Sequence, residues 1–297
     1  MRLSALAPGK VNLCLFLGPL RDDGRHELVT VLQSVSLADE LMLTSSEELP
    51  AGPDVVVCPG VQGTNLVAAA LEGLRGRGWD APPVRIEIIK RIPVAAGMGG
   101  GSADAAAALR LAMELAPGRP EEVAALAASL GADVPSQLAP GVVLGTGAGD
   151  VVEPYGPLAP HAVVLVPSTL GLSTADVYRE ADRLGLPRTA DELRERYERV
   201  ASALRPDARV VDELLVNDLE PAALSLCPSI EGVLQAVGDA GADRALVCGS
   251  GPTVVGIFWG AAGADRADAA AASLAERFPG TTSARPVGVD FGIPVFA

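Results

Sequence analysis

A glycine cluster that runs directly into an alanine-rich segment dominates the middle of the sequence. Residues 97–109 read GMGGGSADAAAAL. The alanines favour an α-helix over 102–116, with Ser102 as its N-cap. Each glycine costs about 0.5–1 kcal/mol of chain entropy relative to alanine, which is hard to justify for a mere turn. A helix N-terminus attracts anions, and glycine lets the backbone approach a phosphate closely, so this pattern predicts an anion-binding loop.

The cluster differs from two common glycine-rich nucleotide loops. No lysine follows its glycines, as GxxxxGK[ST] requires, and Ser102 stands where GxGxxG needs its last glycine. The loop is therefore neither a Walker A loop nor a Rossmann fingerprint. The alternative explanation is a flexible turn between a strand at 84–90 and the helix.

Charge and composition argue against several classes of partner. The 297 residues carry a formal net charge of −14, whereas nucleic acids and anionic membranes reward a basic surface. The four cysteines are scattered without a CxxC pair, so they indicate neither a disulfide framework nor a zinc site. No segment reads as a signal peptide or a membrane span. We expect a cytoplasmic monomer or weak homodimer that binds a small molecule, with no nucleic-acid or membrane partner.

Hydrophobic periodicity predicts two α+β domains. Strands dominate the first ninety residues, for example at 10–18, where apolar residues alternate. From about residue 155 helices and strands are mixed, so we place the domains at 1–154 and 155–297. The predicted helices are 64–78 (N-cap Thr64), 102–116, 120–130, 173–185, 189–204, 211–239 and 263–277. The other predicted strands are 27–37, 40–45, 54–58, 84–90, a hairpin over 140–154, 161–167, a pair within 244–259, and a last one near 283–289.

Three further features carry little information when each is taken alone. Lys10 is one of only two lysines among 23 basic residues, but a lone lysine at a strand start is ordinarily a solvated edge residue. Asp133 lies between Gly131 and Pro135, where it would ordinarily cap a short helix. A second glycine cluster, CGSGPT at 248–253, would ordinarily be a β-turn.

Taken together, these segments resemble the three ordered motifs of the GHMP small-molecule kinases. The segments are APGKVNLCLFL, GMGGGSADAAAAL and CGSGPTVVGIF, and they span residues 7 to about 258. Four more segments are similar to those family members that phosphorylate 4-diphosphocytidyl-2-C-methyl-D-erythritol. These are DGRHELVTVLQSVSLADEL (23–41), GADVP (131–135), LGTGAGDVVEP (144–154) and STADVY (173–178).

The resemblance implies a fold and a reaction. The fold would combine an N-terminal domain like ribosomal protein S5 domain 2 with a ferredoxin-like C-terminal domain, and the active site would lie in the cleft between them. The donor would be ATP with Mg²⁺. The acceptor would be the 2-hydroxyl of the cytidine diphosphate-linked methylerythritol, in the methylerythritol phosphate route of isoprenoid biosynthesis.

The resemblance also implies a role for individual residues. Asp133 would be the catalytic proton acceptor, and Lys10 would stabilise that carboxylate and the charge near the acceptor oxygen. His26 would bind the cytosine, and Asn65 would contact the adenine. Lys90 and Asp104 could lie near the nucleotide, although a surface or capping role suits them equally. The implied ATP-binding residues are Asn65, Pro93, Gly97, Gly99, Gly100, Gly101 and Ser102. The implied substrate-binding residues are Asn12, Arg25, His26, Thr174, Gly249, Ser250 and Gly251.

Arg25 departs from the pattern of these kinases. They usually read DGYHEL, with the tyrosine stacking on cytosine, whereas this chain reads DGRHEL. A guanidinium plane can also stack on a base, so the specificity could survive. A second hypothesis is a GHMP kinase for another alcohol, of homoserine or mevalonate type. A third is a non-catalytic nucleotide-binding regulator, against which the presence of both Lys10 and Asp133 argues.

Overall fold

Two β-sheets organise the chain in the computed structural model, which describes residues 1–45, 52–61, 65–94, 96–168 and 170–297. The first sheet has the strand order β11-β1-β2-β4-β3, with β5 and β6 added at β2, and the second has the order β10-β7-β9-β8. The strands of the first half of the chain are β1 (Arg2–Leu20), β2 (His26–Ser45), β3 (Val55–Val57), β4 (Val84–Ile89), β5 (Val142–Thr146) and β6 (Val151–Tyr155). Those of the second half are β7 (His161–Val166), β8 (Arg244–Val247), β9 (Val254–Trp259), β10 (Thr282–Ala284) and β11 (Val295–Phe296).

A long antiparallel hairpin of β1 and β2 forms the centre of the first sheet. Lys10 pairs with Ser34, just after a register shift between Pro8 and Gly9. At this point the Lys10 amide donates a hydrogen bond to the carbonyl of Met98, 3.0 Å away in the glycine cluster. The irregularity of β1 therefore brings Lys10 against the loop that the sequence marks as anion-binding.

Four helices cover this sheet: α1 (Leu66–Gly76), α2 (Gly100–Leu115), α3 (Pro120–Leu130) and α4 (Val134–Leu138). The alanines of α2, from Ala103 to Ala112, are buried. Small side chains let α2 pack close to β1, and this packing fixes the position of its N-terminus. No helix in the described ranges is both long and apolar enough to cross a membrane.

The start of α2 differs from the sequence prediction. Ser102 is not its N-cap: the helix begins at Gly100, and Gly99 is the N-cap in a left-handed conformation with φ 67°. The Gly99 carbonyl accepts the first helical hydrogen bond, from Ala103 at 2.8 Å. Glycine adopts this conformation freely, so the turn closes before Ser102. The predicted N-cap of α1, Thr64, lies outside the described residues, and Asn65 caps that helix by accepting from the amide of Val67.

The second half of the chain follows the predicted helices closely. It contains α5 (Thr174–Leu184), α6 (Ala190–Ala203), α7 (Glu220–Leu226), α8 (Ser229–Asp239) and α9 (Gly263–Ala275). Thr189 and Glu192 form a reciprocal capping box at the start of α6. The α+β class is confirmed, and the strands change sheet between Tyr155 and His161.

The end of the chain departs from the prediction of a last strand at 283–289. That strand, β10, ends at Ala284, and the chain then returns to the first sheet, where β11 pairs with β1. No local pattern in the sequence indicates this pairing, because a two-residue strand has no periodicity to detect.

Candidate active site

Three adjoining cavities form one continuous cleft. The inner cavity, about 330 Å³, lies along the glycine cluster and includes Asn65, Lys90 and Pro93. The middle cavity, about 340 Å³, contains Lys10 and Asp133, and the outer cavity, about 590 Å³, contains His26 and Arg25. The residues shared by the inner and middle cavities are Gly97, Gly99 and Ser102. Those shared by the middle and outer cavities are Leu28, Ala132, Ala148, Thr174 and Tyr178.

The inner cavity is bordered by the N-terminus of α2. The first amides of a helix have no partner within it and lie at the positive end of its dipole, so they suit an anion. Gly97 has φ 73°, and a Cβ there would lie 2.8 Å from the carbonyl oxygen of Cys248 and 3.0 Å from that of Gly251. Only glycine fits at this contact, where the two glycine clusters of the sequence meet.

Lys10 and Asp133 face each other in the middle cavity. The buried Lys10 Nζ donates to Asn12 Oδ1 at 2.9 Å and to the carbonyl of Gly97 at 3.0 Å. It lies 3.7 Å from Asp133 Oδ2, which is ion-pair distance without a direct hydrogen bond. Asp133 precedes α4, but its side chain does not cap that helix. The carboxylate is thus available to the cavity rather than committed to the backbone.

A second lysine, Lys90, joins two carboxylates beside the inner cavity. Its Nζ donates to Asp39 and, at 2.8 Å, to Asp104 Oδ2. Asp39 is fully buried and accepts further bonds from the amides of Arg91 and Ile92. Burial raises the pKa of Asp104 to about 7, although Lys90 acts in the opposite direction. Two buried carboxylates share one ammonium here, so one of them holds its proton more tightly.

This cluster makes stability depend on pH in a defined direction. Asp104 titrates near pH 7 when folded but near the ordinary value of 3.8 when exposed. Between these values the folded state binds more protons than the unfolded state, so the free energy of unfolding falls as pH rises. Asp104→Asn cannot titrate. The stability of the wild type relative to this variant should therefore fall between pH 4 and 7, by at least about 1.4 kcal/mol, which corresponds to one pKa unit.

Urea denaturation of both proteins across this pH range measures the difference. The exposed Asp191, 85% accessible, provides the matched control Asp191→Asn. A pH-independent difference for Asp104→Asn would contradict the expectation.

The outer cavity combines an imidazole with an aromatic ring. The buried His26 has its Nδ1 2.9 Å from the carbonyl of Gly18, and its ring centroid is 5.7 Å from that of Tyr178. Its Nε2 lies 3.1 Å from Asp182 Oδ1, but without the alignment of a hydrogen bond. Burial, with a smaller effect from Asp133, raises the pKa of Tyr178 to about 12, so this phenol stays neutral.

Arg25, in contrast, is exposed and held at the rim. Its guanidinium donates to Asp23 Oδ2 at 3.0 Å and reaches Asp150 at 3.5 Å. It therefore joins the β1–β2 turn to the β5–β6 turn. Both turns border the outer cavity, so Arg25 can contact a molecule in this cavity only from the rim.

The structure brings almost all of the sequence-predicted site residues into this cleft. The seven ATP-binding candidates line the inner cavity, and Asn12, Thr174, Gly249 and Ser250 line the middle one. Thr174 and Ser250 also contact each other, with their hydroxyl oxygens 3.0 Å apart. Gly251 is the exception: it lies buried behind the cleft wall, against Gly97.

Sequence reasoning missed two residues that shape the site. Tyr178 lines both the middle and the outer cavity. It is one of only three tyrosines and ends the STADVY segment, which was a usable signal. Asn217 donates to the carbonyls of Val247 and Gly249 and so holds the second glycine cluster. It stands in no motif, and only the tertiary structure shows its contacts.

Comparison with known proteins identifies the family. The model of the GHMP kinases N terminal domain matches residues 65–143, and that of the GHMP kinases C terminal matches residues 194–280. A 4-diphosphocytidyl-2-C-methyl-D-erythritol kinase of Salinispora tropica is 42% identical over 90% of this chain and 87% of its own length. The chain belongs to the GHMP kinases. A second such kinase, from Rhodococcus jostii, is 43% identical over 83% of this chain and 81% of its own length.

Solved structures agree with this assignment. A crystal structure of a 4-(cytidine 5'-diphospho)-2C-methyl-D-erythritol kinase matches with a TM-score of 0.74 and 32% identity, covering 96% of this chain and all of the other. A homoserine kinase from Cytophaga hutchinsonii matches with a TM-score of 0.71 and 18% identity. The match covers 100% of the present chain and 97% of the homoserine kinase. The second match shows the shared fold alone. The resemblance found in the sequence, including its narrower form, is confirmed.

Proposed function

We propose that this GHMP kinase transfers the γ-phosphoryl group of ATP to the 2-hydroxyl of 4-diphosphocytidyl-2-C-methyl-D-erythritol, in the methylerythritol phosphate route to isoprenoids. The observation that carries the proposal is the order of groups along the cleft. The Lys10–Asp133 pair separates a glycine-lined cavity at a helix N-terminus from a cavity that contains His26 and Tyr178. A phosphoryl donor and a base-bearing acceptor would meet at this pair.

The glycine cluster provides the donor site in this proposal. The free amides at the start of α2 would bind the triphosphate, and Asn65 and Pro93 would lie beside the adenosine. Mg²⁺ accepts hydroxyl and carboxylate oxygens together with phosphates. Ser102 lines both the inner and middle cavities, so its hydroxyl fits that requirement. When bound, the ion would neutralise part of the charge on the phosphates.

Transfer would take place between Asp133 and Lys10. The acceptor hydroxyl oxygen bonds to the γ-phosphorus while the bond from that phosphorus to the bridging oxygen breaks, and ADP leaves. The hydroxyl proton passes to the Asp133 carboxylate. Lys10 can donate three hydrogen bonds, and its contacts with described residues use two of them. The third donor can stabilise charge on the transferred group.

The outer cavity provides acceptor recognition. His26 would hydrogen-bond to the cytosine beside the ring of Tyr178, and Arg25 would contact the ligand from the rim. Asn12, Thr174, Gly249 and Ser250 would line the path of the methylerythritol diphosphate. Gly251 would act through its neighbours, because it lies behind the cleft wall.

The direct test is turnover with purified protein, ATP, Mg²⁺ and this acceptor, followed by ADP release. Homoserine and mevalonate serve as control alcohols, because Arg25 in place of the usual tyrosine could shift the specificity. We expect turnover with the cytidyl acceptor alone. Turnover only with a control alcohol would refute the proposed acceptor and retain the chemistry, whereas ATP binding without any turnover would favour a regulator.

A further inference from the structure

Arg110, in the middle of α2, is a half-buried arginine without a role in the cleft. Its Nε–H donates to the carbonyl of Gly292 at 2.9 Å, its Nη1 donates to the carbonyl of Gln137, and its Nη2 donates to the carbonyl of Leu6 at 2.8 Å. All three acceptors are neutral backbone groups. The guanidinium therefore joins three separate segments of the chain to α2.

The environment of Arg110 is costly for a charge. No carboxylate lies at ion-pair distance from it in the described part of the chain. Burial lowers its pKa to about 10, so it is still charged at neutral pH. Charges withdrawn from water are ordinarily paired with an opposite charge. A guanidinium bound only by carbonyls therefore indicates that the rigid, planar arrangement of its donors is needed to hold these backbone groups in place.

The segments joined by Arg110 carry the proposed catalytic groups. Leu6 lies on β1, the strand of Lys10, and Gln137 lies on α4, the five-residue helix that begins directly after Asp133. Gly292 belongs to the C-terminal return that precedes β11. A Cβ at Gly292 would lie 3.0 Å from both Cζ and Nη2 of Arg110, so the backbone closes tightly over the guanidinium.

Asp133 depends on this backbone placement. Within the described residues no group donates a hydrogen bond to its carboxylate, and its carbonyl accepts a hydrogen bond from Ser136 Oγ of α4 at 2.8 Å. The Lys10 ammonium, at 3.7 Å, does not fix it either. The position of the carboxylate is thus set by where α4 lies relative to β1.

We propose that Arg110 is a positioning residue that sets the separation of Asp133 and Lys10 by joining α4 to β1 and α2. The inference rests on the proposed function, because the proposed function assigns Asp133 and Lys10 to phosphoryl transfer. It adds that a residue outside the cleft, together with the C-terminal return, controls the transfer step rather than ATP binding.

Arg110→Met tests the proposal, because methionine retains an unbranched stem like that of arginine but donates no hydrogen bond. A misplacement of about 1 Å can reduce catalysis by about 10²-fold, so we expect kcat to fall by about 10- to 100-fold. The KM for ATP should change by less than about twofold, because the substitution lies in the middle of α2 and leaves the amides at the start of this helix in place. Arg77→Met is the matched control, since Arg77 also donates to a carbonyl, that of Gly73, but on the surface.

A double-mutant cycle separates positioning from general destabilisation. If Arg110 acts through Asp133, then Arg110→Met should change single-turnover rates by less than about twofold in the Asp133→Asn background. If the two losses multiply, the proposal is wrong. Should Arg110→Met fail to fold, Gly292→Ala retains the arginine but adds a Cβ 3.0 Å from its guanidinium and from Pro140 Cγ, and the same non-additivity is expected. Unchanged kcat in Gly292→Ala together with a crystal structure that shows a displaced guanidinium would also overturn the proposal.

Crystal structures of the variants distinguish this inference from the proposed function. The Asp133 Oδ2 to Lys10 Nζ distance can be measured whatever the acceptor is, and we expect it to exceed the 3.7 Å of the wild type. An unchanged distance in Arg110→Met would contradict the positioning role. Absence of wild-type turnover with the cytidyl acceptor would contradict only the proposed function.

Discussion

Asp133→Asn should reduce kcat about 10²- to 10⁴-fold, the usual contribution of a general base. The substitution keeps the size of the side chain and removes its capacity to accept a proton. The carboxylate does not cap α4 and accepts no hydrogen bond from the described residues, so little structure depends on it. Affinity for ATP should change by less than about twofold, because the inner cavity does not include Asp133.

Steady-state kinetics with the cytidyl acceptor and equilibrium binding of ATP provide the two measurements. Asp191→Asn makes the same chemical change at an exposed site in α6 and should leave both unchanged. Near-normal kcat in Asp133→Asn would exclude this carboxylate as the proton acceptor. Loss of ATP binding in parallel with kcat would instead indicate that Asp133 belongs to the donor site.

Lys10→Met should reduce kcat about 10²- to 10³-fold, which is typical for the loss of one donor aimed at developing charge. Unlike Asp133, Lys10 also has a structural role. Its removal leaves Asn12 Oδ1 without the ammonium donor, and it leaves the carbonyl of Gly97 with only the weak thiol donor of Cys248 at 3.7 Å. An unsatisfied buried acceptor costs about 1–3 kcal/mol, so this variant should also be less stable.

Kinetics and thermal denaturation together distinguish these two effects. Arg91→Met removes one positive charge from a side chain that is 57% accessible, and it should retain wild-type kcat. Lys10→Arg should not rescue the activity, because a planar guanidinium cannot reproduce the contacts that the compact, buried ammonium makes with Asn12 Oδ1 and the carbonyl of Gly97. A kcat of Lys10→Met within tenfold of the wild type would contradict the assigned role.

Some parts of the site could be predicted from the sequence because their signals are local. A glycine cluster before an alanine-rich segment defines a loop and a helix whatever the rest of the chain does. The exact start of that helix was not predictable: four glycines permit several turn conformations, and Gly99 rather than Ser102 became the N-cap. The sequence places Tyr178 in the STADVY segment, but it does not indicate that the tyrosine ring lies against His26.

The α+β class, most helices and strands, and the segments that carry the chemistry could all be inferred from the amino-acid sequence. Three contacts become visible only in the folded chain: Lys10 lies beside Asp133, Gly251 lies behind the cleft wall, and Arg110 joins the C-terminal return to α4. The difference arises from the range of the forces involved. Backbone propensity acts over a few neighbouring residues, whereas these contacts depend on how side chains of distant segments pack against one another.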